Sequence, residues 1–199
     1  MSVIKPKIDY MKNGPYDEFI TPEVAVRMIL PYIPKHITTI WECTALEGSN
    51  IVRFLRSAGY NVITTHINNG YDFFSYQPEK FDILITNPAY SVKDKFLIRA
   101  FELGKPFMFL LPVSAIEGKQ RHRMFRENRI QLLIPDMRFN FIPDKKSSSW
   151  FDTIWVTYGL ELMNDLNYVA VGNGEPNTAS QSEKCKSKVE LSDKFRKVA

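Results

Sequence analysis

Short runs rich in apolar and β-branched residues alternate along this chain with stretches in which apolar residues recur every three or four positions. The runs at 37–41, 61–66, 81–86 and 107–111 have strand length and read as buried strands. Between the first two, Ile51, Phe54 and Leu55 share one face of a helix predicted over 49–57, stopped by Ala58-Gly59. A second helix is predicted over 93–103. Ahead of the first strand, Thr21-Pro22-Glu23 reads as a helix opening, with Thr as N-cap and Pro at the first helical position. Val24, Met28 and Ile29 keep helical spacing until Pro31 and Pro34 end it. The last third differs: a basic helical stretch at 118–129 is followed by strands at 130–134 and 151–158, with a loop and no helix between them. Strands and helices that alternate at this spacing predict an α/β fold with a doubly wound sheet. The sheet should be mostly parallel with an antiparallel C-terminal strand.

Composition adds boundaries. Residues 1–18 are polar and broken by Pro6, Gly14 and Pro15, which predicts an extended N-terminal arm. From about Asn173 onward, Gly, Asn, Ser, Lys and Glu dominate and large apolar residues are scarce, a composition that cannot bury enough surface to order itself. The expected division is therefore an arm at 1–18, one domain at 19–165 and a flexible tail at 166–199. The chain has 199 residues, 44% of them hydrophobic and 24% charged, ordinary values for one soluble domain with a real core. A net charge of +4 allows a polyanionic partner without demanding one. Cys43 and Cys185 lie far apart and form no metal-type pair, so reduced thiols, a cytoplasmic location and no metal are expected. No basic-then-apolar leader opens the sequence, and no apolar run approaches the ~20 residues of a membrane helix.

Candidate chemistry concentrates at Asn87-Pro88-Ala89-Tyr90, which closes the apolar run 81–86. Open α/β sheets place their chemistry at the carboxyl ends of strands. There the Asn87 side-chain carbonyl and the Pro88 main-chain carbonyl can accept both hydrogens of one planar amino group. Tyr90 offers a ring on which a flat base or amide stacks. The plainer reading is a strand followed by a turn, since Asn-Pro opens turns. The basic stretch around Lys119, Arg121 and Arg123 could follow a phosphate backbone or form a solvated helix face. Lys145, Lys146 and Ser149, in the loop before Trp150, are candidates for substrate contact or a simple connector.

Taken in order, these segments resemble the class I S-adenosylmethionine-dependent methyltransferases, specifically the adenine amino-methyltransferases with an Asp/Asn-Pro-Pro-Tyr motif. The resemblance covers roughly residues 16–160 and implies a Rossmann-like sheet and S-adenosylmethionine as cofactor. Phe19-Ile20-Thr21-Pro22 resembles the family's Phe-x-Thr-Pro cofactor motif, which implies roles for Phe19, Thr21 and Pro22 beside the cofactor. The segment from Trp41 to Gly48 resembles the first strand and its glycine-rich loop. By that match Glu42 holds the methionine end of the cofactor, and Gly48 sits where backbone must approach closely. His66 stands where the family carries an acidic residue for the ribose hydroxyls. Asp72 and Phe73, in Gly70-Tyr71-Asp72-Phe73, fall where the family contacts the adenine of the cofactor. Asn87, Pro88 and Tyr90 match the catalytic motif, with Ala89 replacing the second Pro.

Three departures matter. Cys43 replaces the family's Pro, Leu46 its first loop Gly, and His66 its acidic residue. A left-handed backbone at Leu46 would strain the loop, and its side chain could occlude the pocket. His66 can accept one hydrogen bond where a carboxylate accepts two. The resemblance implies methylation of the exocyclic N6 amine of adenine in DNA, with the base flipped out of the stack. RNA adenine and a protein glutamine amide are alternative substrates. A further alternative is a degenerate member acting as a nucleic-acid-binding or partner subunit. The residues after the motif are too few for a separate target-recognition domain, so specificity is expected from short loops, the arm or a protein partner.

Overall fold

The alternating pattern folds as a seven-stranded sheet in the order β2-β1-β3-β4-β6-β5-β7. The computed structural model describes residues 19–141 and 152–171. Its strands are β1 (Thr39–Glu42), β2 (Asn61–Thr64), β3 (Ile83–Thr86), β4 (Phe107–Pro112), β5 (Gln131–Pro135), β6 (Thr153–Tyr158) and β7 (Leu166–Val169). Its helices are α1 (Glu23–Arg27), α2 (Asn50–Ser57), α3 (Lys93–Leu103) and α4 (Lys119–Asn128). Every residue of β3 and β4 is buried, as expected of unbroken apolar runs at the centre of a parallel sheet. Successive side chains divide between two cores. Ile83, Ile85, Met108 and Leu110 join Ile29, Leu55 and Trp155 on the face of α1 and α2. Leu84, Phe107, Phe109 and Leu111 join Trp41, Phe96 and Leu97 on the face of α3. Both faces are covered, so the sheet is doubly wound.

Strand β6 runs antiparallel to both β4 and β5, the predicted irregularity. It is not the last strand, however. β7 follows it and pairs in parallel with β5, so the sheet extends four residues past the boundary drawn at 165. The Leu-Asn-Tyr-Val pattern of β7 turns Asn167 and Val169 inward and leaves Leu166 and Tyr168 exposed. A polar residue in the buried register hid this strand from a hydrophobicity reading. Asn167 is tolerated because its amide donates to the carbonyls of Leu132 and Asn164, at 3.2 and 2.8 Å.

The start of α1 also differs from expectation. Pro22, not Thr21, holds the N-cap position, with no side-chain capping bond. Thr21 is buried instead, and its carbonyl accepts from Asn50 Nδ2 at 2.9 Å. α1 is a single short helix followed by a 3₁₀ turn at 30–32, because Pro31 has no N–H to extend it. Among the described residues no helix is long and apolar enough to cross a membrane.

Candidate active site

β1 and β3 are neighbours in the sheet, and the chain leaves them in opposite directions, β1 toward β2 and β3 toward β4. Their carboxyl ends therefore flank a topological switch point, where an open α/β sheet offers a crevice. The turn after β1 carries Cys43 to Gly48, and the turn after β3 carries Asn87 to Tyr90. Between them lie a cleft of about 160 Å³ and, beside it, a recess of about 20 Å³. Phe19, Thr44, Leu46 and Asn87 line both.

Glu42, at the tip of β1, lines the recess and is buried. Its Oε1 accepts from the Thr44 main-chain N–H and hydroxyl, each at 3.0 Å, and from the Thr86 hydroxyl at 2.6 Å. Its Oε2 is buried with no hydrogen-bond partner. Burial pushes the Glu42 carboxyl up to about 7, against the lowering effect of the bonds from Thr86 and Thr44. Across the recess, the Asn87 side-chain oxygen is likewise buried and without a partner. The Asn87 amide reaches the Phe19 carbonyl at 3.5 Å, which ties the segment leading into α1 to the tip of β3. Two residues that line this small polar hollow thus each carry a buried oxygen without a hydrogen-bond partner.

The larger cleft is apolar. Phe73 forms one wall, buried and stacked on Phe96 with ring centroids 4.8 Å apart. Ile67, Tyr71 and Phe74 make an exposed rim. His66 is buried at its edge, and its Nδ1 accepts from the Asn68 N–H at 3.1 Å. With Nδ1 accepting, the ring carries an N–H on Nε2. Asp72 also lines the cleft, with one oxygen accepting from the Phe74 N–H at 3.0 Å.

The structure thus gathers Phe19, Thr21, Glu42, His66, Asp72, Phe73 and Asn87 around one cleft and recess. Pro22, Gly48, Pro88 and Tyr90 are close in sequence but do not line it. Gly48 has φ 78°, yet a Cβ there would meet no heavy atom within 4 Å, so backbone conformation and not a close approach requires glycine. Leu46 carries no such burden, because Arg129 and Glu161 are the non-glycine residues with positive φ among those described. The expected strain in the loop is absent, and the loop turns at Gly48 instead. Tyr90 begins a 3₁₀ turn at 90–92, packed against the aromatic core on the α3 face. Thr44 and Thr86 escaped the sequence reading. A polar residue ending an otherwise apolar strand was the available signal for Thr86.

The basic candidates separate. Lys119 is exposed at the start of α4. Arg121 is engaged internally: its guanidinium holds Asp94 at 2.6 and 2.9 Å and donates to the carbonyls of Ala115 and Glu117. It fastens α4 to the first turn of α3 and is not a free phosphate ligand. Arg123 pairs with Glu127 on the exposed face of α4 at 2.9 Å. Lys145, Lys146 and Ser149 lie outside the described residues.

No family model matches the chain, and no curated relative does. Solved structures share its fold. A type I restriction-modification system methyltransferase subunit from Streptococcus thermophilus superposes with a TM-score of 0.52 and 14% identity, over 87% of this chain. The match takes in 53% of that subunit, so the chain spans about half its length. A candidate class I S-adenosylmethionine-dependent methyltransferase from Listeria monocytogenes superposes with a TM-score of 0.50 and 11% identity, over 90% of this chain and 73% of the other. The chain has the mostly parallel, Rossmann-like α/β fold of these methyltransferases.

Proposed function

We propose that this chain is an S-adenosylmethionine-dependent methyltransferase acting on a planar amino group, with the exocyclic N6 amine of adenine in DNA as the leading substrate. The observation that carries this reading is the Asn87 side-chain oxygen, buried without a partner beside the cleft at the tip of β3. A residue that only opened a turn would have satisfied that oxygen.

The recess suits the cofactor's charged end. At about 20 Å³ it has room for one water-sized group, and Glu42, whose buried Oε2 is unpaired, lines it. An ammonium group there would complete the carboxylate. The apolar cleft beside it suits a flat ring between Phe73 and the Ile67–Tyr71 rim. S-adenosylmethionine bound in this way supplies an electrophilic methyl group on a sulfonium. The work of the chain is then positioning. Asn87 would take an N–H bond of the target amine and favour a tetrahedral nitrogen with its lone pair free; the Pro88 carbonyl, on the turn just outside the cleft lining, is the proposed second acceptor. Nothing in the site must act as a strong base before transfer, because the proton becomes acidic only once the new bond forms. Alignment and preorganised acceptors then lower the barrier.

The test is transfer of a labelled methyl group to DNA, RNA and protein, with N6-methyladenine identified by mass spectrometry. Label on DNA adenine supports the reading. Donor binding without transfer to any acceptor overturns it in favour of a partner subunit. One observation favours a second substrate: with Arg121 engaged and Arg123 paired, the basic helix offers phosphates less than its sequence suggests. A glutamine amide has the same planar NH₂ and needs no phosphate contacts, so label on protein selects it.

Leu46 bears on affinity. The cleft is smaller than the roughly 300–1,000 Å³ usual for drug-sized ligands, and Leu46 lines both hollows. Leu46→Ala is therefore expected to tighten S-adenosylhomocysteine binding by about threefold to tenfold, since less side chain must be displaced. Calorimetric titration measures it; weaker binding would show that Leu46 is a contact and not an obstruction.

A further inference from the structure

Two hydroxyls lie between Glu42 and Asn87, and four polar contacts compete for their two protons. Glu42 Oε1 is 2.6 Å from Thr86 Oγ1 and 3.0 Å from Thr44 Oγ1. The two hydroxyl oxygens are 2.5 Å apart, and either can donate to the other. Thr44 Oγ1 is also 3.4 Å from the main-chain carbonyl of Asn87. A threonine hydroxyl gives one proton and accepts through two lone pairs, so these contacts cannot all be donated at once.

We propose that Thr44 and Thr86 are positioning residues: a two-hydroxyl chain whose donor direction is set by the Glu42 carboxyl, and which couples the recess to the Asn87 main chain. The purpose of this coupling rests on the methyltransferase reading; the chain itself is a property of the protein without ligand. With Glu42 ionised, Thr86 donates to Oε1 and Thr44 donates to Thr86. The Asn87 carbonyl then receives nothing from Thr44. One proton added at Oε1 reverses the order: Oε1–H donates to Thr86, Thr86 to Thr44, and Thr44 to the Asn87 carbonyl. Oε1 takes the proton because it finds an acceptor there, whereas Oε2 has none. One proton is exchanged with solvent, while the hydroxyl protons rotate without leaving their oxygens.

The surroundings leave Glu42 in control. The segment before α1 contributes Phe19, Ile20 and Thr21 to the recess, and α2 with its preceding residue contributes Ile51 and Ser49, none of them titratable. Cys43 follows Glu42 in the chain, but burial and the Glu42 charge push its thiol well up, so it stays neutral. His66 and Asp72 line the neighbouring cleft. Burial holds the Glu42 carboxyl at about 7, so both directions are populated near neutral pH. A cationic group in the recess favours the ionised form and frees the Asn87 carbonyl, so the motif's peptide group responds when the donor is in place.

Carbon-13 NMR of the protein without ligand tests this. The Asn87 main-chain carbonyl is expected to titrate with the midpoint of the Glu42 carboxyl in the wild type and in Thr44→Ser. That inflection should vanish in Thr44→Val and Glu42→Gln. Thr86→Val should raise the Glu42 midpoint by about one pH unit, because the charge-assisted bond it removes from the ionised form outweighs the neutral bond it removes from the protonated form, and Thr86→Ser should restore it. A Glu42 inflection with none at Asn87, no Glu42 inflection at all, or an Asn87 inflection that survives Thr44→Val overturns the proposal. If Thr44→Val does not fold, the wild type against Glu42→Gln decides. Calorimetry with S-adenosylhomocysteine stands apart: no binding sinks the methyltransferase reading and leaves the hydroxyl chain to its own result.

Discussion

Asn87→Ala is expected to lose about 10²–10³-fold in the rate of methyl transfer, the usual cost of removing one preorganised group from a polar catalytic site. The same variant should melt no lower than the wild type. Its side-chain oxygen is buried without a partner, and holding such an atom away from water costs roughly 1–3 kcal/mol. Truncation removes that penalty. The bond it sacrifices, to the Phe19 carbonyl, is 3.5 Å long and contributes little. Loss of rate without loss of stability is therefore the signature of a residue kept for a ligand. Single-turnover transfer at saturating donor, beside a thermal melt, reads both. An undiminished rate would remove Asn87 from the chemistry, and a large drop in melting temperature would make it a structural residue.

Glu42→Gln is expected to stabilise the protein above neutral pH while weakening donor binding. The Glu42 carboxyl ionises near 4.5 when exposed and is held at about 7 by burial in the folded protein. A raised acid binds its proton more tightly in the folded state, so its contribution is full below about 4.5 and falls away as pH rises through about 7. The gap corresponds to roughly 3 kcal/mol of stability lost by mildly alkaline pH. Glutamine cannot ionise, but its amide would sit where Oε2 now lacks a partner. A net gain of about 1–2 kcal/mol at pH 8 follows, or about 4 °C in melting temperature. If the recess takes an ammonium group, the ionised carboxylate is what binds it. Wild-type affinity for S-adenosylhomocysteine should then be about tenfold weaker at pH 6 than at pH 8, and Glu42→Gln should lack that dependence. Melting curves and calorimetry across this range check both halves. A Gln variant less stable at pH 8 would mean that the carboxylate is satisfied after all.

The central elements were legible because their sequences allow little else. Ile83 to Ile85 and Phe107 to Leu111 are continuous apolar runs that a strand covered on both faces buries. Helix α3 occupies 93–103 as its spacing requires, and ends at Gly104 in the left-handed conformation. The less apolar elements were harder to read. β7 places Asn167 in a buried register that only a cross-strand carbonyl makes tolerable. Thr21 yielded the cap of α1 to Pro22 because the fold had buried it and engaged its carbonyl from α2. Arg121 looked like a phosphate ligand, since nothing in its local sequence announces Asp94, 27 positions away.

The strands at the centre of the chain, the helix spacing and the motif at residues 87–90 were determined by local sequence, since burial periodicity and proline or glycine stereochemistry act within a few residues. Tertiary structure alone decided which polar atoms are left without partners. Glu42 and Asn87 stand 45 positions apart in sequence, and Thr44 and Thr86 stand 42 apart. Only when β1 and β3 pair do these side chains enter one low-dielectric hollow, where a missing hydrogen bond and a displaced proton acquire their energetic weight.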